Sequence, residues 1–305
     1  GHKTLVWWEG YDLEDFVDAN TVAAEQLTDV YKGLADFTLL QSLRVGYIPP
    51  PAYTPGVARL VRWLPAIVEC VQAGWEPVPA ARVPEPLWSS RYGKGLGTLI
   101  AVAHETGEPV QADAMIENTR LGMPTPGPGF PMMPGTPSSE TPASDVAYLF
   151  STYQGDELSN TVRDGETGVS LEVPVRTPVL LRAQLAVRPE RAVRQAEVHY
   201  TGDATRATLE TTLSGSGAAH VDVRIPPGMS VSATTVDGVS VQCNQWGQLG
   251  GLEVTIGERT RLSVEFTSST LALSQEQLFA YPFVRDGRPA CTLVVPRGAS
   301  GAERH

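Results

Sequence analysis

The chain has 305 residues, enough for two or three domains of ordinary size, and its 42% apolar and 19% charged composition suits globular cores and argues against global disorder. A net charge of −11 and a pI near 5.0 repel phosphate backbones and anionic headgroups, so nucleic acid and membrane surfaces are not expected as partners. No apolar run approaches the roughly 18–20 residues that span a bilayer.

The opening, Gly1-His2-Lys3, lacks a signal-peptide core and reads as a tag remnant or a processed end. Leu5–Trp8 is a short apolar run that reads as one buried strand ending at Glu9-Gly10. Beyond it, Leu27, Val30, Tyr31, Leu34, Phe37 and Leu40 recur at helical spacing, and Gly46 with Pro49-Pro50-Pro51 stops that helix. Pro55 suits the first turn of a second helix, whose apolar stripe runs through Val57, Leu60, Val61, Leu64, Ile67, Val68 and Val71 to a stop at Gly74. Pro65 inside it predicts a kink.

From Leu87 the pattern becomes short alternating runs divided by turn signals, as in antiparallel sheets. Strands are expected at 98–103, 110–116, 147–153, 169–175, 179–187, 196–200, 207–213, 221–225, 231–236, 252–256, 262–267 and 291–295. Asp164-Gly165 and Asp237-Gly238 are hairpin dipeptides. The expected fold is therefore mainly β: a helical region over 1–86, then antiparallel β-sandwiches over 87–190 and 191–305. Seven prolines between Pro124 and Pro142 make 122–143 a loop, and Met123, Phe130, Met132 and Met133 leave open whether it is a surface excursion or packs on the sheet or a partner.

Cys70, Cys243 and Cys291 read either as three separate buried thiols or as one free thiol beside a Cys243–Cys291 pair. The five histidines never cluster at metal-ligand spacing, so neither a structural metal nor a cofactor is expected. There is no nucleophile elbow and no phosphate loop; Gly93-Lys94-Gly95-Leu96-Gly97 enters a strand and is a turn.

The candidate chemistry is aromatic and carboxylate. Trp7, Trp8 and Tyr11 flank Glu9, and a strand-end carboxylate beside rings that stack on a sugar is a glycosidase arrangement; packed tryptophans beside a solvated acid are the plainer alternative. Asp12, Glu14, Asp15 and Asp18 suit either a partner carboxylate or the acidic first turn of a helix. Trp75, Trp88 and Tyr92 form a second candidate platform or a packed junction. Trp246, among Asn244, Gln245 and Gln248, reads as a lectin-like contact or as a ring tucked under the sheet.

Three stretches, 73–81, 87–95 and 281–300, resemble bacterial glycoside-hydrolase-like proteins in which a (β/α)8 domain precedes β-sandwich domains. In such proteins the first would be the exit from the last barrel helix, the second the opening of the C-terminal sandwich, and the third the strand beginning a further domain. A complete barrel takes about 250 residues, so residues 1–86 would hold at most its last strand and one or two helices. The resemblance implies an accessory region that contacts a poly- or oligosaccharide or supports a neighbouring domain, in an extracellular or cell-surface setting. The alternative is an assembly module that binds other protein chains through its sandwich faces and the 122–143 loop. Hydrolysis by this chain would need a second carboxylate about 5–10 Å from Glu9.

Overall fold

The structure is a computed structural model that describes residues 24–46, 57–105, 107–122, 145–153, 155–203, 205–268, 282–285 and 288–291. The chain divides into two compact units, 1–72 with 273–305, and 73–272.

In the first unit lie helix α1 (Ala24–Val45) and helix α2 (Val57–Ala73, whose last residue belongs to the second unit), together with a hairpin of two strands near the C-terminal end. The α1 stripe carries through only in part: Leu40 is buried but Phe37 is 42% exposed, and the helix buries Leu39, Leu40 and Leu43, while α2 buries Leu64, Ile67 and Cys70. Gly46 and Gly74 take left-handed φ angles of 73° and 91°, where a Cβ is disfavoured, and so end the two helices as expected. Pro65 lies within α2.

The second unit is an antiparallel two-sheet fold, mainly β and sandwich-like. Its strands are β1 (Trp75–Glu76), β2 (Ala81–Arg82), β3 (Trp88–Tyr92), β4 (Leu99–Ala103), β5 (Val110–Glu117), β6 (Ala147–Thr152), β7 (Leu158–Arg163), β8 (Glu166–Val173) and β9 (Val179–Arg188). They continue with β10 (Val193–Gly202), β11 (Arg206–Gly215), β12 (Gly217–Arg224), β13 (Met229–Val236), β14 (Val239–Ser240), β15 (Asn244–Trp246), β16 (Leu249–Ile256) and β17 (Thr260–Ser268). A one-turn helix, α3 (Asn118–Leu121), follows β5, and the hairpin of the first unit is β18 (Pro282–Arg285) with β19 (Arg288–Cys291).

One sheet runs β1-β3-β4-β9-β12-β16-β15, and the other β14-β13-β17-β11-β10-β7-β8-β5-β2. Strand β9 is the pivot of the first. One of its edges pairs with β6 along Leu181–Val187, while the other pairs with β4 through residues 179–182 and then with β12 through residues 185–188. In the second sheet β10 joins β7 to β11, so strands from 87–190 and from 191–268 share both sheets.

Alternation on β6, together with a register shift that skips Gln184 on β9, feeds two cores. Ala147, Leu149, Leu185 and Val187 enter one cluster with Val198, Leu209, Val221, Val254, Val264 and Phe266. Tyr148, Phe150, Leu181, Ala183 and Ala186 enter the other with Ile100, Ile116, Val169 and Leu171. Both hairpin dipeptides take positive φ at both residues, 52° and 83° at Asp164-Gly165 and 50° and 78° at Asp237-Gly238, the type I′ pattern that matches strand twist.

The strand at 158–163 was not among those expected. Leu158, Asn160 and Val162 face inward there, and the polar middle residue breaks the apolar alternation. The expected strand at 291–295 appears in the description only through Cys291, the end of β19; 292–295 lie outside the described residues.

Candidate functional site

Trp7, Trp8, Glu9 and Tyr11, and residues 123–143 of the Pro/Met-rich loop, lie outside the described residues. Of the second group, Trp75 on β1 faces Tyr92 on β3, and Trp88 lies four residues back along β3 on the same side. These three do not form one open platform. Tyr92 is fully buried and Trp88 half-buried, which leaves Trp75, 47% exposed, as the ring with free surface.

Trp246 sits in a richer setting. It ends the edge strand β15, opposite Leu249 of β16, and packs half-buried against the core that contains Tyr148 and Phe150. Its ring lies over Gly251: a Cβ there would come within 2.9 Å of the indole Cη2 and 3.2 Å of His220 Nε2. The missing side chain is what lets the indole and the imidazole approach the same stretch of backbone.

The register explains the rest of the cluster. Arg188 (β9), His220 (β12) and Glu253 (β16) are direct cross-strand neighbours, and the next row on the same face is Ala186, Asp222 and Gly251. With small residues on both sides of Asp222, the longer side chains of the first row bend over it. Arg188 donates to Asp222 Oδ2 at 2.5 Å, while His220 Nε2 lies 3.1 Å from Asp222 Oδ1. The other ring nitrogen, Nδ1, lies 2.7 Å from Glu253 Oε1.

Burial grades sharply across this cluster. The side chain of Asp222 is 5% exposed, that of His220 22% and that of Glu253 78%. Asp222 is thus a buried carboxylate compensated by one guanidinium and one imidazole, whereas Glu253 reaches water. The hydrogen bond to Asp222 is the largest influence on His220 and pushes its pKa up; burial opposes, and Glu253 adds to the rise. Chemically the surface offers a flat indole edge, an acceptor carboxylate in water and an imidazole beside them. Among the described residues no group of three or more His, Cys, Asp or Glu side chains is arranged to hold a metal, and the two imidazole nitrogens here point to separate carboxylates.

A second feature is an open groove of about 1100 Å³ on the other sheet, lined by Asp145, Asp164, Glu190, Arg191, Arg194 and Glu258 among others. Glu190 accepts a hydrogen bond from Gly165 N at 2.7 Å and its own amide donates to Asp145 Oδ1 at 3.2 Å. Burial is the chief cause that raises its pKa, with the charges of Asp145 and Asp164 adding to it. Among the described residues no aromatic side chain lines this groove.

Sequence reasoning named Trp246 but missed His220, Asp222, Glu253 and Arg188. The signal was present in two pieces: the spacing His220-Val221-Asp222, which places both polar side chains on one face of a strand, and Gly250-Gly251 in the midst of a strand pattern, which marks a close approach. No protein-family model matches the sequence, and no curated protein matches it. No described helix is long and apolar enough to cross a membrane.

Proposed function

We propose that this chain is an accessory β-sandwich region of a carbohydrate-active, glycoside-hydrolase-like protein, and that it contacts a neutral glycan at the Trp246 surface. The supporting observation is the Trp246 indole seated over Gly251 beside His220, with the exposed Glu253 carboxylate next to it. A pyranose offers an apolar face for an indole and hydroxyls for carboxylate and imidazole, and this surface offers both kinds of partner within one patch. The acidic net charge of −11 opposes anionic polymers and leaves neutral ones unaffected.

Affinity electrophoresis against a panel of neutral polysaccharides tests this, with reducing-sugar release followed in the same samples. Retardation by one polysaccharide that is lost in Trp246→Ala and retained in Trp75→Ala is the expected result. Absence of retardation across the panel overturns the reading, and sugar release that disappears in Glu9→Gln would make the chain an enzyme in its own right.

One observation favours assembly with other protein chains as a second reading. Val239 is 67% exposed on β14, the two-residue terminal strand of its sheet, and an apolar side chain on a sheet edge is a pairing surface. Val239→Lys would then lower the apparent mass of the protein in size-exclusion chromatography with light scattering.

A further inference from the structure

We infer that His220 is a proton-operated latch: as the imidazolium it ties Glu253 of β16 to Asp222 of β12, and on losing its proton it releases Glu253 while Arg188 keeps hold of Asp222. The functional consequence rests on the glycan-contact reading; the latch itself does not.

The argument is one of donors and acceptors. A neutral imidazole carries one N–H and one lone pair, whereas the imidazolium carries two N–H donors. His220 turns both nitrogens to carboxylate oxygens, at 2.7 Å and 3.1 Å, an arrangement that two ionised carboxylates accept only from the cation, since a ring lone pair facing either one is repulsive. When the proton leaves, one of the two contacts must break. Asp222 is buried and bound by Arg188 at 2.5 Å, so it stays. Glu253 is 78% exposed with water to turn into, so it goes. The charges surrounding the imidazole are Asp222 on its own strand, Glu253 on β16 and Arg188 on β9. The Tyr148 phenol of β6 and the Cys243 thiol before β15 both feel Asp222, and burial pushes both pKa values up, away from the range in which an imidazole titrates.

Trp246 reports on the switch, because its indole and the imidazole flank the same point above Gly251. Above the His220 midpoint the freed Glu253 carboxylate is able to accept a hydroxyl from a ligand stacked on the indole. Below it, Glu253 Oε1 is held by the imidazolium and only the other carboxylate oxygen is open. Glycan contact at this surface is therefore expected to strengthen as pH rises through the His220 midpoint.

The test is NMR titration of the histidine ring signals of the full chain without ligand, with His220→Gln assigning the resonance and tryptophan fluorescence of the protein, minus that of Trp246→Phe, followed over the same pH range. The expected result is a His220 midpoint above the ordinary histidine value, a shift of that midpoint downward in Glu253→Gln, and a Trp246 signal that changes with the same midpoint. Glu253→Gln alters a solvent-exposed side chain, so folding is not at stake in this comparison. A His220 midpoint unchanged by Glu253→Gln overturns the latch whatever the polysaccharide panel gives. The expected titration together with no retardation anywhere on the panel keeps the latch and removes the glycan reading. Retardation that is equal at pH 5.5 and pH 8.5 removes the link between them.

Discussion

Asn160 of β7 stands in for a strand neighbour of Phe150 on β6: Phe150 N donates to Asn160 Oδ1 at 2.8 Å, and Asn160 Nδ2 donates back to Phe150 O at 3.0 Å. The two residues belong to different sheets, and the amide closes the gap between them at the edge of β6 that does not face β9. Asn160 Nδ2 also donates to Leu158 O at 2.9 Å. Two residues back along β6, Tyr148 N donates to Asn118 Oδ1 at 3.3 Å and Tyr148 O accepts from Thr167 Oγ1 at 2.8 Å. A buried strand edge is thus satisfied by side chains in place of a ladder. Asn160→Ala would leave the amide and carbonyl of Phe150 unpaired in the core, at a cost of about 2–5 kcal/mol in urea-unfolding free energy. Asn160→Asp keeps an acceptor but no donor, and its deficit should shrink as pH falls and the buried carboxyl takes up a proton.

Gly251 is the position at which the fold yields to Trp246. In Gly251→Ala the new methyl would meet the indole at 2.9 Å, closer than side chains tolerate, and the imidazole of His220 at 3.2 Å, a tight contact. The ring must leave its seat, so we expect a changed near-ultraviolet circular dichroism signal and a redder tryptophan emission, with a loss of about 1–3 kcal/mol as is usual for overpacking. Retention of the wild-type emission would mean that the indole does not rest on Gly251.

These two positions also show what was legible in the sequence and what was not. The helices at 24–45 and 57–73, most of the longer strands and both type I′ turns follow from local periodicity and from Gly and Pro, which act on their immediate neighbours. Strand β7 escaped because its central inward residue is Asn160, whose role depends on a strand of the opposite sheet. The site escaped for a related reason. Arg188, His220 and Glu253 are neighbours only through the pairing of β9 with β12 and of β12 with β16, and register between strands is long-range information. Trp246 was visible as an isolated aromatic, but its companions were not.

The groove on the other sheet gives a prediction about charge. Glu190 is drawn toward its protonated form by burial and by the nearby Asp145 and Asp164, while Gly165 N needs only an oxygen acceptor from it. Glu190→Gln keeps that acceptor and removes the charge. With the folded pKa above the unfolded one, the contribution of Glu190 to stability is complete below the unfolded pKa and diminishes as pH rises through the folded one. Glu190→Gln should therefore be slightly more stable than the wild type at pH 7, by less than about 1 kcal/mol for a partly solvated group, and the gain should vanish toward pH 4. Thermal unfolding at both pH values would show it, and a destabilised variant at pH 7 would mean that the carboxylate has a favourable charge partner in the groove.

His220 supplies the opposite case, a cationic group stabilised by its surroundings. Its folded pKa is raised, first by the Asp222 contact and then by Glu253 against the opposition of burial, so the folded state holds the imidazole proton more tightly than the unfolded chain. The stability that this contributes is fully present below the unfolded histidine value of about 6.5 and is lost as pH rises through the folded value. His220→Gln abolishes the linkage, because glutamine does not titrate. The difference in unfolding free energy between the wild type and His220→Gln should be largest near pH 5.5 and decline steadily toward pH 9. Because Asp222 remains bound to Arg188 throughout, a residual deficit from the altered packing is expected to persist at the alkaline end. A difference that is flat across this range would show that the imidazole is equally basic in the folded and unfolded chains, and that neither carboxylate holds its proton.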